Sequence, residues 1–548
     1  MKDGWRGRST PLEAGQTLTA TLLFLALTIA LTWPQVLVMA THAREHHDVY
    51  FNMWRLAWMF HALTNPRAGL FEGNIFYPEQ RTLTFSDAMV VEGLIAAPLF
   101  AVGLAPVLVH NLLLLGAIVA SATGIFVLAR YLTGSAGAGV VAGVIFAFVP
   151  YRFEHYMHME MQWTMWTPWA FWAMHRTIDT RVWRYGILTG LFVSLQMLSS
   201  IYYGVFLIVL LGLVTVLILL AQRWRDLPVL VSRLAPAALV VLVICGAYSR
   251  PYLETKKDVG GRGVREIMLY SARPSSYLVA TPDNIVYGDM FAGRGRPERR
   301  LFPGALAVVL AIVGLFKRPA DKAPLTIAYL LGMVLAYEMS LGLSGYSFPF
   351  VSAHSAVFQG FRAIARLGIF VAFFLAVLAA WGYAAIAATR GLPRRVLLAI
   401  AIAVLVIEYR VRPLSLARYP NGPYPLHAWL ATQPRGVVAM LPMPEDVPGS
   451  DPRVAYLSTF HWQPIVNGYS GFAPQSYLDR LYDVRGFPDE KSIERLRRDG
   501  VRYLVVQLWC YRRDDRTFVL DALRLRYGFH ELGRFFDGNG DSAVFLLR

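Results

Sequence analysis

The chain has 548 residues, 56% of them hydrophobic and 16% charged, with a formal net charge of +16. A soluble enzyme carries about 25% charged residues, so this composition excludes an ordinary water-soluble one. Two cysteines, Cys245 and Cys510, exclude a disulfide framework and a cysteine-built zinc site, and the basic excess gathers at the ends of apolar runs, where it sets orientation and meets anionic lipid rather than nucleic acid.

The first apolar run, TLLFLALTIALTW, follows Arg6 and Arg8. Its core is too long for a signal peptide and no small-x-small cleavage site follows, so it reads as a retained anchor. The stretch REHHDVYFNMWRLAWMFHAL (residues 44–63) then sets His46, His47 and Asp48 ahead of Val49, Met53, Leu56, Ala57 and Phe60 at helical spacing, with Trp54 and Trp58 on the flank. This predicts a helix lying in the membrane interface, with Asp48 as its N-cap. Segment 88–104 is short and carries Glu92 and Pro98 just after Asp87; it reads as a juxtamembrane or re-entrant piece. Residues 106–131 are then the second span.

Short basic loops at 175–184, 222–226, 317–322 and 389–395 join the N-terminus on the cytoplasmic side. The outer turns fall near 150–160, 199–203, 250–302 and 342–362, and a last span at 395–411 exports the remainder of the chain. The fold expected is an α-helical polytopic membrane protein of about eleven transmembrane helices, with juxtamembrane helices in the first outer loop. Residues 1–411 form the membrane domain, with outer loops at 40–105 and 250–302. The loop at 250–302 resists this scheme, because it holds ten Lys or Arg against six acidic residues and is still placed outside. Residues 412–548 read as a small extracytoplasmic α/β domain: GVVAML and VRYLVVQLW are strands, and EKSIERLRRDG is a helix stopped by glycine.

Ionisable groups crowd the outer ends of these spans, where they mark function by default. They include His47, Asp48, Asp87, Glu92, Arg152, Glu154, His155, His158, Glu160, Tyr202, Tyr203, Arg362 and Arg366. Arg362 and Arg366 are four apart, share one face if helical, and suit a phosphate; the alternative is snorkelling to headgroups. Arg152, His155 and His158 also share a helical face. With Glu154 and Glu160 they make either the polar lining of a wet vestibule or a divalent zinc or manganese site.

The stretches DVYFNMWRLAWMFHAL, LFEGNIFYPEQRTLTFSD, FVPYRFEHYMHMEMQ, FRAIARLG and LSTFHWQPIVNGYSGFAPQSYLD resemble an uncharacterised bacterial group of the GT-C superfamily of membrane glycosyltransferases, which includes protein O-mannosyltransferases and lipid A aminoarabinose transferases. The resemblance implies transfer, with inversion, of a sugar from a polyprenyl-phosphate donor to a glycan, lipid or protein acceptor at the outer face of the bacterial inner membrane. It makes Asp48 and Asp87 the acidic groups of the first exit loop, although relatives often carry Asp-Glu where this chain has His47 and Asp48. On this reading Arg152, Arg362 and Arg366 hold the donor phosphate, and Tyr202 or Tyr203 stacks on sugar or prenyl chain. His47, Glu92, His155 and His158 line the same site. The competing readings are a lipid or sugar-lipid transporter, which would place its polar groups near the midplane and within repeats, and a non-catalytic envelope assembly protein.

Overall fold

The computed structural model describes residues 11–318, 320–389, 391–443 and 451–547. Arg6, Arg8 and Arg390, which carry part of the orientation argument, lie outside the described residues. Among the described residues seven helices are long and apolar enough to cross a membrane: Leu12–Leu31, Pro106–Thr133, Ala136–Glu154, Ile201–Ala221, Trp224–Val259, Ala320–Ser340 and Ile364–Ala388. The difference from eleven lies in helix length. Trp166–Thr180, Trp183–Ser199, Ala305–Phe316 and Arg394–Tyr409 form helices of 15, 17, 12 and 16 residues, whereas crossing the hydrocarbon takes about 20. Segment 88–104 contains a separate 12-residue helix, Val90–Ala101, with Pro98 inside it. The outer loop expected from residue 250 begins later, because one helix runs unbroken from Leu227 to Val259.

Contacts divide the chain into two compact units: Met1–Val38, Leu112–Leu253 and Gly260–Ser415 form the first, and Met39–Asn111, Glu254–Val259 and Leu416–Arg548 the second. In the first unit the helix Gly368–Ala388 is buried on every side from Gly368 to Tyr383. A helix apolar all round belongs in a core, and Ala305–Phe316, Ala323–Ser340 and Ala136–Phe148 pack around this one. Its contact with Ala305–Phe316 is glycine to glycine. A Cβ on Gly382 would collide with the Leu310 carbonyl, and one on Gly314 with the Leu378 carbonyl. Small residues of this kind let helix backbones approach where lipid gives no hydrophobic drive. Gly382→Ala is therefore expected to destabilise by about 1–3 kcal/mol, read as a lower melting temperature of the detergent-purified protein. Gly212→Ala, where an added Cβ meets nothing within 4 Å, is the silent control.

In the second unit, β1 (His42–Arg44) pairs antiparallel with β2 (Leu416–Arg418). A four-stranded sheet runs in the order β3 (Val437–Leu441), β4 (Val501–Gln507), β6 (Asp541–Leu546), β5 (His530–Phe536), with β3 and β4 parallel and the other pairs antiparallel. The helix Glu490–Arg498 starts on Asp489, whose carboxylate accepts the Ser492 N–H at 2.8 Å, and ends before Gly500 at φ +69°. It feeds β4, whose residues Tyr503 to Val506 are buried, so the strand is apolar on both faces as a central strand must be.

The same unit encloses a stacked pair of histidines, His427 and His461, with ring centroids 6.0 Å apart. Neither ring nitrogen of His427 has a hydrogen bond, nor has Nε2 of His461. Burial pushes His427 down to about 4; burial and then its neighbour push His461 to about 3. Unfolded histidine titrates near 6.5, so the unfolded chain binds the extra protons as pH falls. The stability due to this pair is complete above about pH 6.5 and declines from there toward pH 4. Thermal melts between about pH 7.5 and 4.5 should show that decline, and His427→Phe should flatten it.

Candidate active site

In the second unit the polar stretch before the first amphipathic helix takes a defined geometry. The helix runs His47–Thr64, and its N-cap is His46 rather than Asp48: Nδ1 of His46 accepts the Asp48 N–H at 3.1 Å. The sequence favours Asp48 as cap because aspartate is a preferred capping residue, but a histidine ring nitrogen earlier in the chain fills that place. Asp48 is thereby released from capping, and its side chain is 15% exposed. Oδ1 accepts the Tyr469 hydroxyl at 2.6 Å, and Oδ2 lies 3.3 Å from His46 Nδ1. Since that nitrogen accepts a backbone N–H, it carries no proton for the carboxylate in the same arrangement.

The turn before the helix is strapped by Tyr419. Its hydroxyl contacts the carbonyls of Arg44 at 2.7 Å and His46 at 3.0 Å and accepts the His46 N–H at 3.1 Å. Its ring packs 4.6 Å from Tyr50. Further along the helix Arg55 is buried, donating to Asn52 Oδ1 at 2.5 Å and to the main-chain carbonyl of Asp87 at 2.8 Å. Asp87 and Glu92 are both buried, while His47 is exposed.

In the first unit, charged side chains gather around Glu298, which the sequence did not single out. Its Oε1 accepts Nε and Nη2 of Arg366, each at 3.3 Å. Its Oε2 accepts the Tyr151 hydroxyl at 3.3 Å and lies 3.6 Å from His155 Nε2. Burial lowers His155 to about 4, with Glu298 opposing that shift. Burial raises Glu298, but His155 and then Arg366 outweigh it and hold the carboxyl below its ordinary range. Because His155 is neutral at pH 7, the cation that keeps Glu298 ionised there is Arg366. His155 and His158 bring their Nδ1 atoms within 3.4 Å of each other. Next to them Glu154 accepts Arg300 at 2.7 Å through Oε1, and its buried Oε2 has no hydrogen bond.

Arg362 and Arg366 do not share a helical face. Ala363 breaks the backbone at φ −98°, ψ 69°, and Ile364–Leu367 is a single 3₁₀ turn. Arg362 therefore turns to a different carboxylate, Glu266, at 3.1 Å, which Arg262 also reaches at 3.4 Å. Tyr202 links the two arginines: its hydroxyl accepts the Arg362 N–H at 2.9 Å, and the Arg366 guanidinium sits 5.3 Å over its ring. The Arg366 side chain is only 12% exposed, so it is held by protein and not snorkelling. Tyr202 stacks on Phe361 at 4.4 Å, and Tyr203 is buried with no hydrogen bond to its hydroxyl.

Arg152 departs from its expected role. Its guanidinium donates to the Phe146 and Gln162 carbonyls, at 2.8 and 3.2 Å, and to Thr164 Oγ1 at 2.5 Å. Those bonds tie the bend after Pro150 to the following turn, and a buried guanidinium so committed is a structural clamp. The metal alternative for Glu154, His155, His158 and Glu160 also fails: among the described residues no three His, Cys, Asp or Glu side chains are placed to hold an ion. Arg300 has taken Glu154, and His155 turns to Glu298 instead.

No family model matches the sequence, and none of the curated proteins does. Solved structures do match. The mycobacterial arabinofuranosyltransferase AftD superposes over 100% of this chain and 41% of its own, with a TM-score of 0.60 at 14% identity. The oligosaccharyltransferase AglB of Archaeoglobus fulgidus, solved with an inhibitory peptide and a dolichol-phosphate, superposes over 91% of this chain and 69% of its own, with a TM-score of 0.54 at 13% identity. The chain has the GT-C fold. The match to AftD leaves more than half of that enzyme without a counterpart here. Within the GT-C fold the sequence missed Glu298, Glu266 and Tyr469 as partners of the residues it named. Only Tyr469 carried a signal, since it stands in the motif NGYSGF.

Proposed function

We propose that the chain is an inverting membrane glycosyltransferase that takes a sugar from a polyprenyl-phosphate donor to an acceptor at the outer face of the bacterial cytoplasmic membrane. Arg362 and Arg366 receive the donor phosphate. Each guanidinium has five N–H donors, so a pairing with Glu266 or Glu298 leaves capacity for phosphate oxygens. Asp48 takes the proton of the acceptor hydroxyl as its oxygen attacks the anomeric carbon. The bond from that carbon to phosphate breaks, and polyprenyl phosphate departs with the electron pair. Such a leaving group needs its charge met rather than a proton, so guanidiniums replace the general acid of glycosidases. Asp87 is the second acidic group of the same loop, and Tyr202 packs on the donor. Arg152 is left out, because it is buried and closes the bend between Phe146 and Thr164.

The observation that carries this reading is Arg366, withdrawn from solvent beside an aromatic ring and held in place by the Glu298 carboxylate. The likeness to glycosyltransferases over the whole chain supports it. Purified protein given a labelled polyprenyl-phosphate sugar in vesicles is expected to form a glycosylated product. Movement of the lipid across the bilayer without product would make the chain a carrier instead.

A further inference from the structure

The basic excess in the loop after Val259 is at odds with an outer location if arginines serve only to set orientation. Residues 260–302 carry seven arginines and four acidic residues. Arg262 is paired with Glu266 and Arg300 with Glu154. Arg265, Arg273, Arg294 and Arg296 are exposed and make no ion pair or side-chain hydrogen bond among the described residues.

These arginines face two adjoining hollows. One, of about 750 Å³, is lined by Arg265, Met268, Tyr270, Arg273, Arg296 and Arg299, with one carboxylate, Glu266, that is paired to Arg262 and Arg362; the other, of about 600 Å³, by Arg273, Ser275, Leu278, Phe291, Arg294 and Arg296. Arg273, Arg296 and Arg299 form the wall between them. Burial, and then the charges of Arg273 and Arg296, hold Arg299 below its ordinary value. Large apolar side chains stand out beside the arginines: Val264, Met268, Leu278 and Met290 are each more than half exposed.

We propose that segment 260–302 is a docking surface for the headgroups of anionic phospholipids. Guanidiniums match phosphate oxygens through paired N–H donors. A soluble anion would satisfy them but leave Val264, Met268 and Leu278 in water, whereas a phospholipid sets its glycerol and acyl region against those side chains. Two hollows sharing one basic wall suit several singly charged diesters better than one compact ligand. The loop's charge thus pins it at headgroup depth, a role that needs no sugar transfer and does not rest on it.

The test is binding of phosphatidylglycerol, against phosphatidylcholine, to the full chain in detergent, counted by native mass spectrometry. Combined Arg265→Gln, Arg273→Gln and Arg296→Gln is expected to weaken phosphatidylglycerol binding on the order of a hundredfold, from the contribution of each basic residue near an anionic surface. The matching lysine triple is expected to keep most of it, which separates charge from folding. Equal binding of the two lipids, or a glutamine triple that binds like the native chain, overturns the proposal. So does displacement of phosphatidylglycerol by inorganic phosphate, which would indicate a soluble anion. A strong preference for polyprenyl phosphate over phosphatidylglycerol overturns it in favour of a carrier site.

Discussion

Asp48→Asn is expected to lower sugar transfer by about 10²–10⁴-fold, the usual worth of a positioned general base, while the melting temperature stays unchanged. The amide keeps the size of the side chain and still accepts the Tyr469 hydroxyl, which reaches Oδ1 at 2.6 Å. The helix start also survives, because its cap is the His46 ring and not the Asp48 carboxylate. Tyr469→Phe removes one donor to the carboxylate and no charge, so it should cost about tenfold, the worth of one hydrogen bond to an ionised group. Initial rates with labelled donor in vesicles measure both. Unchanged turnover in Asp48→Asn would remove this residue from the mechanism.

Glu298→Ala should give the largest loss of stability. Breaking a buried ion pair by removing one partner costs about 3–5 kcal/mol, and here the Arg366 guanidinium and the Tyr151 hydroxyl both lose their common acceptor. A fall in melting temperature, with recovery when Arg366→Met is added, would show that the penalty is an unpaired buried cation. Single Arg366→Met should abolish transfer if that guanidinium meets the donor phosphate. A single variant that retains native turnover would leave Arg362 as the only phosphate ligand in this proposal.

Much of the architecture could be read from residue order. The apolar run 106–131 became one continuous helix, and Glu92 with Pro98 marked the preceding segment as a short separate one. The strand VRYLVVQ was legible because β-branched and apolar residues follow a glycine-stopped helix. These features are local, since hydropathy, capping and glycine act within a turn or two.

The partners of the charged residues were not legible. Arg362 and Arg366 look like one phosphate clamp at helical spacing, yet the backbone at Ala363 sends them to Glu266 and Glu298, 96 and 68 residues away in sequence. Arg152 looks like a ligand group, yet it closes a bend. The sequence alone determined that the chain is a membrane protein, where most of its apolar helices lie and which ionisable residues stand near their ends. Only the tertiary structure decided which carboxylate meets which guanidinium, because the low dielectric that makes such pairs obligatory exists only once distant segments have packed together.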